Sequence, residues 1–182
     1  MVAVAFKNWG SDWNLNSPLG PYIQNQGARF PEEEAVKFFN AGRIDLNRHS
    51  APYHPGINPG GDYLNPRTFD LAAAGAFQLV DLRGQLLEFF KPEEEVATFL
   101  CLAEARDKID YFLAHEEERL RVARQGRERC LRDHTYSVRL AQALEMMEEI
   151  CPGKLPQRPR PEKPLEQLRQ RFSEDHPVQA ML

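Results

Sequence analysis

The chain has 182 residues, of which 42% are hydrophobic and 27% charged, a composition typical of a globular domain that buries a core. Its net charge of −4 gives no electrostatic basis for binding nucleic acid or an anionic membrane, and no apolar run reaches the roughly 18 residues of a membrane span. The N-terminus lacks a signal peptide pattern, and the three widely spaced cysteines favour free thiols in a reducing compartment. We therefore expect a cytoplasmic protein.

The first part of the chain is predicted to form a strand and then a loop. Val2–Phe6 is a continuous apolar run, which is typical of a strand buried in a parallel sheet. Residues 8–30 have a loop-like composition and carry Trp9 and Trp13. Two tryptophans in one loop could stack on a nucleotide base, but we prefer the interpretation that they cover the edge of the sheet.

A helix and a second strand are predicted next. A proline followed by three glutamates begins a helix over 31–42, which a glycine ends, and Arg43–Asn47 has the pattern of a strand. The Gly/Pro-rich segment 48–64 is long enough to indicate a functional loop. It contains His49 and His54, but because no third ligand has a convincing spacing, we expect no metal site.

The stretch Gly60–Asp70 is the candidate ligand site. A glycine pair and Asp62 precede an Asn-Pro helix start at residue 65, and the helix ends at Gly75. A glycine-rich loop that leads into a helix N-terminus directs N–H groups at an anion such as phosphate. Arg67 is a cation unfavourably placed in the first helical turn, which a bound diphosphate would explain. The alternative is a simple helix start with two solvated acids.

Strands and helices alternate further along the chain. Ala76–Val80 and Glu95–Phe99 are predicted strands on either side of a helix over Asp81–Phe90. This alternation predicts a doubly wound α/β fold with a parallel sheet. Three helical patterns follow, each with an apolar packing face, and the charges of Glu116–Arg132 are expected to form a solvated helix face.

The chain is expected to have two parts, a domain over 1–151 that includes the C-terminal helices and a tail over 152–182. Five of the thirteen residues from Pro152 to Pro164 are proline and four are Lys or Arg, which favours a basic, extended linker. A short helix over Leu165–Phe172, or a disordered tail, is expected to follow it.

The sequence lacks the signatures GxGxxG, GxxxxGK[ST], HExxH and GxSxG. Their absence removes the usual support for a dinucleotide oxidoreductase, a P-loop NTPase, a zincin or a serine hydrolase.

Two runs carry a family resemblance, Arg43-Ile-Asp-Leu-Asn-Arg-His-Ser and Leu64-Asn-Pro-Arg-Thr-Phe-Asp-Leu-Ala-Ala-Ala-Gly-Ala-Phe-Gln-Leu-Val-Asp. Their order and spacing resemble the C-terminal domain of CgeB-type glycosyltransferases, which are similar to the group 1 family of GT-B glycosyltransferases. The resemblance covers roughly residues 31–145. It implies a single Rossmann-like parallel sheet flanked by helices, one half of a GT-B fold, with a C-terminal helical extension.

The resemblance also implies a ligand, a nucleotide-diphospho-sugar donor, with no required cofactor or metal. Group 1 enzymes carry two glutamates separated by seven residues, and Asp62 and Asp70 fall at these places. Asp62 would be the catalytic residue beside the transferred sugar, and Asp70 would hold the ribose hydroxyls. Both acids are shorter than glutamate, which weakens the first role more than the second. The other implied donor-binding residues are Asn47, Arg48, His49, Gly60, Gly61, Asn65, Arg67 and Thr68, with the amides of Arg67 and Thr68 on the diphosphate.

GT-B enzymes have two Rossmann-like domains with the active site between them, and this chain has room for one. The resemblance therefore implies a missing N-terminal acceptor domain or a partner chain that supplies it, unless catalysis has been lost. The alternative function is a non-catalytic α/β interaction module. A flavodoxin-like ligand-binding or receiver domain is possible on fold grounds alone.

Overall fold

A computed structural model describes residues 6–9, 13–28, 31–49 and 63–153. The chain divides into two compact units between Val138 and Arg139. The sequence predictions that fall wholly or mostly outside the described residues concern the strand Val2–Phe6, His54, Gly60, Gly61, Asp62 and the tail after residue 153.

The first unit is built on a three-stranded parallel sheet. Its strands are β1 (Asp45–Asn47), β2 (Gln78–Asp81) and β3 (Ala97–Phe99), which lie in this order. Leu79 and Val80 of β2 are fully buried because this strand is central and covered on both faces. The predicted α/β fold with a parallel sheet is confirmed. β2 extends to Asp81, one residue beyond its predicted end.

Helices flank the sheet. Those of the first unit, among the described residues, are α1 (Glu32–Ala41), α2 (Pro66–Ala74), α3 (Leu86–Phe89), α4 (Leu102–Ala114) and α5 (Glu116–Asp133). A further helix, α6 (Tyr136–Ile150), belongs mostly to the second unit. α3 is much shorter than the predicted helix over Asp81–Phe90. The reason is that the chain stays extended after β2, where the Leu82 N–H is still donated to the Phe99 carbonyl. Short 3₁₀ turns at Gly20–Tyr22 and Asn25–Gly27 interrupt the predicted loop.

Alternate residues of β2 face two separate hydrophobic clusters. Leu79 packs with Phe112 of α4 and Val122 of α5, whereas Val80 packs with Ala72 of α2 and with Leu86 of α3. The sheet is therefore covered by helices on both faces, as a Rossmann-like half requires.

The tryptophan-bearing loop lies against a helix. The ring of Trp9 packs on that of Phe38 in α1, with ring centroids 4.1 Å apart, and Trp13 is 41% exposed. Trp9 thus contacts α1, and the preferred interpretation, a cover over the sheet edge, stays a prediction.

Helix α5 is more deeply packed than its charges predict. Arg119 is buried, donates to the Arg43 carbonyl oxygen at 2.9 Å and pairs with Glu116 at 3.0 Å. A Cβ atom built on Gly126 would overlap the carbonyl oxygen of Glu95, so the helix approaches the chain before β3 more closely than any other residue would permit. The expected solvated face is therefore wrong for this part of α5.

Candidate functional site

Polar side chains gather where two parallel strands end. Asn47 is the last residue of β1 and Asp81 the last of β2, and the parallel register brings both to the same edge of the sheet. Ligands of open α/β sheets bind outside the carboxyl ends of the strands. The first turn of α2 packs at the same edge, so this is the place at which the predicted site residues can meet.

A buried amide network joins β1, β2 and α2. The side-chain amide of Asn47 donates to Thr68 Oγ1 at 3.0 Å and to Gln78 Oε1 at 3.1 Å. The amide of Asn65 donates to Asn47 Oδ1 at 3.1 Å, and Gln78 donates to the Thr68 carbonyl oxygen at 2.9 Å. Since a satisfied polar network in a low-dielectric interior holds its members in one arrangement, the start of α2 is fixed relative to the strand ends.

The side chain of Asn65 caps the N-terminus of α2 and satisfies hydrogen-bond donors of its first turn. Oδ1 of Asn65 accepts both the Thr68 N–H and the Thr68 hydroxyl, each at 3.0 Å. Pro66, at the first helical position, has no N–H to offer. The helix ends at Gly75, as predicted, and this glycine adopts the left-handed conformation with φ of 76°. An anion at this helix start would meet the amide of Arg67, whereas the amide of Thr68 is already donated.

Arg67 has neighbours that account for a cation in the first helical turn. Its guanidinium lies over the ring of Phe39 in α1, 5.0 Å from the ring centroid. It also lies near Asp45, where burial raises the pKa of the carboxyl group to about 7 although the positive charge of Arg67 lowers it. A bound diphosphate is therefore one of two explanations for Arg67, and its role there stays a prediction.

His49, Asp81 and Arg83 form a second cluster at this edge. Oδ1 of Asp81 accepts the His49 backbone N–H at 2.8 Å and lies 2.6 Å from His49 Nδ1. Oδ2 of Asp81 accepts Nε and Nη2 of Arg83, at 2.9 and 2.6 Å. Burial alone would raise the pKa of Asp81, but the hydrogen bonds from His49 and Arg83 together hold it below its ordinary value.

Asp81 and Arg83 are not among the site residues that the sequence predicts. The predicted helix over Asp81–Phe90 includes both of them, although Asp81 directly follows the apolar run of the predicted strand Ala76–Val80. A polar residue at the carboxyl end of a parallel strand is a signal for a ligand edge, and the same signal is carried by Asn47.

The structure joins three of the predicted donor-binding residues, Asn47, Asn65 and Thr68, in one network, and places a fourth, His49, in the second cluster at the same edge. Arg48 and Asp70 are exposed, the first just after β1 and the second in the second turn of α2. Within the described residues there is no group of three or more His, Cys, Asp or Glu side chains suited to a metal ion. None of the helices in the described part of the chain has the length and hydropathy to cross a membrane.

The chain resembles known proteins in sequence and in structure. The model of the family described as glycosyl transferase-like matches residues 2–145. The spore protein CgeB of Bacillus subtilis (strain 168) is 31% identical over 127 residues, covering 67% of this chain and 38% of CgeB. Among solved structures, the sucrose-phosphate synthase of Thermosynechococcus elongatus superposes with a TM-score of 0.56 at 16% identity. That superposition covers 72% of this chain and 31% of the synthase. The chain thus spans about a third of the length of the relatives that it matches.

Proposed function

Because the chain belongs to the glycosyl transferase-like family, with CgeB-type relatives, we propose that this domain binds a nucleotide-diphospho-sugar donor for transfer of its glycosyl group. The observation that carries the proposal is the convergence of Asn47, His49 and the Asn65–Thr68 helix start at the carboxyl edge of the sheet. A crevice at the ends of parallel strands is where nucleotides bind in Rossmann-like folds. The parallel sheet with helices on both faces agrees with one half of a GT-B fold.

Each residue of the proposed site has a distinct part. The carboxylate of Asp70, exposed on α2, accepts the ribose hydroxyls, and the backbone N–H and guanidinium of Arg67 hold the diphosphate. Arg48, exposed just after β1, adds positive charge at the same edge. Asp62, with Gly60 and Gly61, borders the transferred sugar in this proposal. Fixed donors of this kind stabilise the charge that develops on the leaving diphosphate, without a required metal.

Asn47 and Thr68 act indirectly in this proposal. Both side chains are buried, and their polar atoms are already hydrogen-bonded to each other, to Asn65 and to Gln78, so these groups serve the network and not a ligand in the arrangement described. Their hydrogen bonds hold the helix start against the strand ends, which keeps Arg67 and Asp70 at a constant spacing from the sheet.

We expect replacement of Asp70 by Ala to weaken donor binding roughly 10- to 100-fold, since hydrogen bonds to a charged group contribute about 1.5–3 kcal/mol. The measurement is calorimetric titration of the purified chain with UDP-, GDP- and dTDP-sugars in a metal-free buffer. Asp110→Ala, an equally exposed acid on α4, is the matched control and should bind as the wild type does. Failure of the folded wild-type chain to bind any of these donors would overturn the proposed function.

We further propose that turnover requires an acceptor-binding domain, from a longer polypeptide or from a partner chain. The relatives are about three times as long as the matched segment, which leaves room for such a domain. The domain by itself is then expected to bind the donor without transferring sugar.

A second candidate function, an interaction module, is favoured by the exposed apolar side chains of α6. The sequence predicts a packing face here, yet Leu140, Leu144, Met147 and Ile150 are 62%, 52%, 52% and 73% exposed. Surface rows of this kind are typical of docking sites. An interaction module predicts association through α6 whether or not a sugar nucleotide is present.

For the interaction module we expect self-association of the wild-type chain in sedimentation velocity, and a monomer when Leu140 and Leu144 are both changed to Gln. Val36→Gln, which changes an apolar side chain on α1 that is 40% exposed, is the control and should associate as the wild type does. A monomeric wild-type chain that binds a sugar nucleotide would contradict this second candidate.

A further inference from the structure

We propose that Asp81 and Arg83 are positioning residues that hold His49 so that its Nε2 accepts a hydrogen bond from a hydroxyl group of the bound donor. The inference rests on the proposed function, because it specifies which part of a nucleotide-sugar lies against the ends of β1 and β2.

The cluster leaves the His49 ring little freedom to turn. Oδ1 of Asp81 accepts the backbone N–H of His49 at 2.8 Å and lies 2.6 Å from its ring Nδ1. Oδ2 of Asp81 accepts two hydrogen bonds from the Arg83 guanidinium. The His49 ring also packs against that of Tyr63 in a T-shaped arrangement, with ring centroids 5.8 Å apart. The His49 side chain is 0% exposed. A ring held at Nδ1, at its backbone and on one side presents Nε2 in a fixed direction.

The partner of the His49 ring also determines which of its nitrogens carries a hydrogen atom. A carboxylate only accepts hydrogen bonds, so Nδ1 carries a hydrogen atom. In the neutral imidazole, this hydrogen on Nδ1 leaves Nε2 without one. Nε2 is then an acceptor with an open lone pair.

That lone pair determines the chemistry of the ligand group. Nε2 is buried and has no hydrogen-bond partner among the described residues. An unpaired buried acceptor is costly, and a ligand that donates a hydrogen bond removes the cost. A hydroxyl group can donate, whereas the oxygens of an ionised diphosphate only accept and would be repelled. His49 therefore faces a hydroxyl of the ribose or of the transferred sugar, and the diphosphate lies elsewhere.

The form of the ring can be observed directly. In the full chain labelled with ¹⁵N-histidine, long-range ¹H–¹⁵N spectra at neutral pH should show a hydrogen-bearing Nδ1 and a bare Nε2 for His49. Saturation with the UDP-, GDP- or dTDP-sugar that binds should shift the Nε2 resonance. The matching nucleoside diphosphate distinguishes the two sources of the hydroxyl, because it lacks the transferred sugar and a shift of Nε2 on its binding excludes that sugar as the source. His115, exposed beside Tyr111, is the reference within the same spectrum and should not respond.

Two variants separate positioning from general structural support. Asp81→Asn can turn its amide toward the ring and is expected to populate the form with hydrogen on Nε2, with binding about tenfold weaker. His49→Asn keeps a donor near the Nδ1 position but lacks Nε2, and is expected to weaken binding by a similar factor while keeping its fold.

The outcomes are distinguishable. The inference is overturned if Nε2 of His49 carries a hydrogen atom in the wild-type chain. It is also overturned if a sugar nucleotide binds without shifting the Nε2 resonance and binds His49→Asn as tightly as the wild type. The proposed function remains intact in both cases. If calorimetry finds no binding of any sugar nucleotide, the proposed function fails, and the ligand assigned to Nε2 fails with it.

Discussion

A Gly126→Ala variant is expected to be about 3 kcal/mol less stable than the wild-type chain. On an exposed helix the same change would stabilise by about 1 kcal/mol, because alanine has the higher helix propensity. Here the added methyl group would overlap the Glu95 carbonyl oxygen. That oxygen cannot retreat easily, since Val96 and Ala97 follow it directly and are 1% and 0% exposed in the core. The sign of the effect therefore tests how closely α5 packs on the sheet.

The measurement is urea unfolding followed by far-UV circular dichroism. Glu128→Ala is the matched control, because it changes an exposed residue on the same helix and should alter the free energy of unfolding by less than about 0.5 kcal/mol. A Gly126→Ala chain as stable as the wild type, or more stable, would mean that the close approach of α5 to Glu95 does not exist in solution.

The elements that the sequence predicts well are those with local signals. The Asn65 cap, the proline after it and the left-handed Gly75 define α2 within a single stretch of chain. The buried strand β2 is visible as an apolar run for a similar reason, since a central parallel strand has no solvent face to alternate with. Local chemistry of this kind therefore sufficed for the element order and the fold class.

The features that the sequence analysis missed depend on contacts between distant residues. The sequence predicts that Arg119 is an exposed charge on the helix surface, but its guanidinium is buried against the carbonyl oxygen of Arg43, 76 residues earlier in the chain. Asp81 and His49 are 32 residues apart and meet only because β1 and β2 pair in parallel. Nothing in the neighbourhood of either residue in the sequence indicates such a partner, because the burial comes from tertiary structure.

Arg67 shows how a correct local observation can have two explanations. A cation in the first turn of a helix does oppose the helix dipole, and the sequence analysis attributes its presence to a diphosphate. The structure adds the ring of Phe39 and the carboxyl group of Asp45, both of which favour a guanidinium at this place. A diphosphate would therefore have to compete with these neighbours for the Arg67 side chain.

The carboxyl group of Asp45 is expected to make the stability of the chain depend on pH. Burial raises its pKa from 3.8 to about 7, and its Oδ2 is buried without a hydrogen-bond partner among the described residues. Between these two pH values the folded state binds a proton that the unfolded state has lost. The contribution of Asp45 is therefore most favourable below pH 4, declines as the pH rises, and reaches its least favourable value above pH 7.

Replacement of Asp45 by Asn removes this titration and should make the chain more stable than the wild type at pH 8. The advantage of the variant is expected to be about 2 kcal/mol larger at pH 8 than at pH 5, after allowance for the partial exposure of the group. The loss of attraction to Arg67 acts against the variant, but burial is the larger effect on the carboxylate.

Urea unfolding of the wild type and of Asp45→Asn at pH 5 and pH 8 measures how the advantage of the variant changes with pH. The control is Asp110→Asn, which changes an exposed acid on α4, and its free energy of unfolding relative to the wild type should not depend on pH. An Asp45→Asn advantage that is equal at the two pH values would contradict the raised pKa. A variant less stable than the wild type at pH 8 would show instead that the electrostatic attraction of the Asp45 carboxylate to Arg67 outweighs the cost of its burial. A diphosphate would then bind Arg67 only by disrupting the attraction between Arg67 and Asp45, which would weaken its binding.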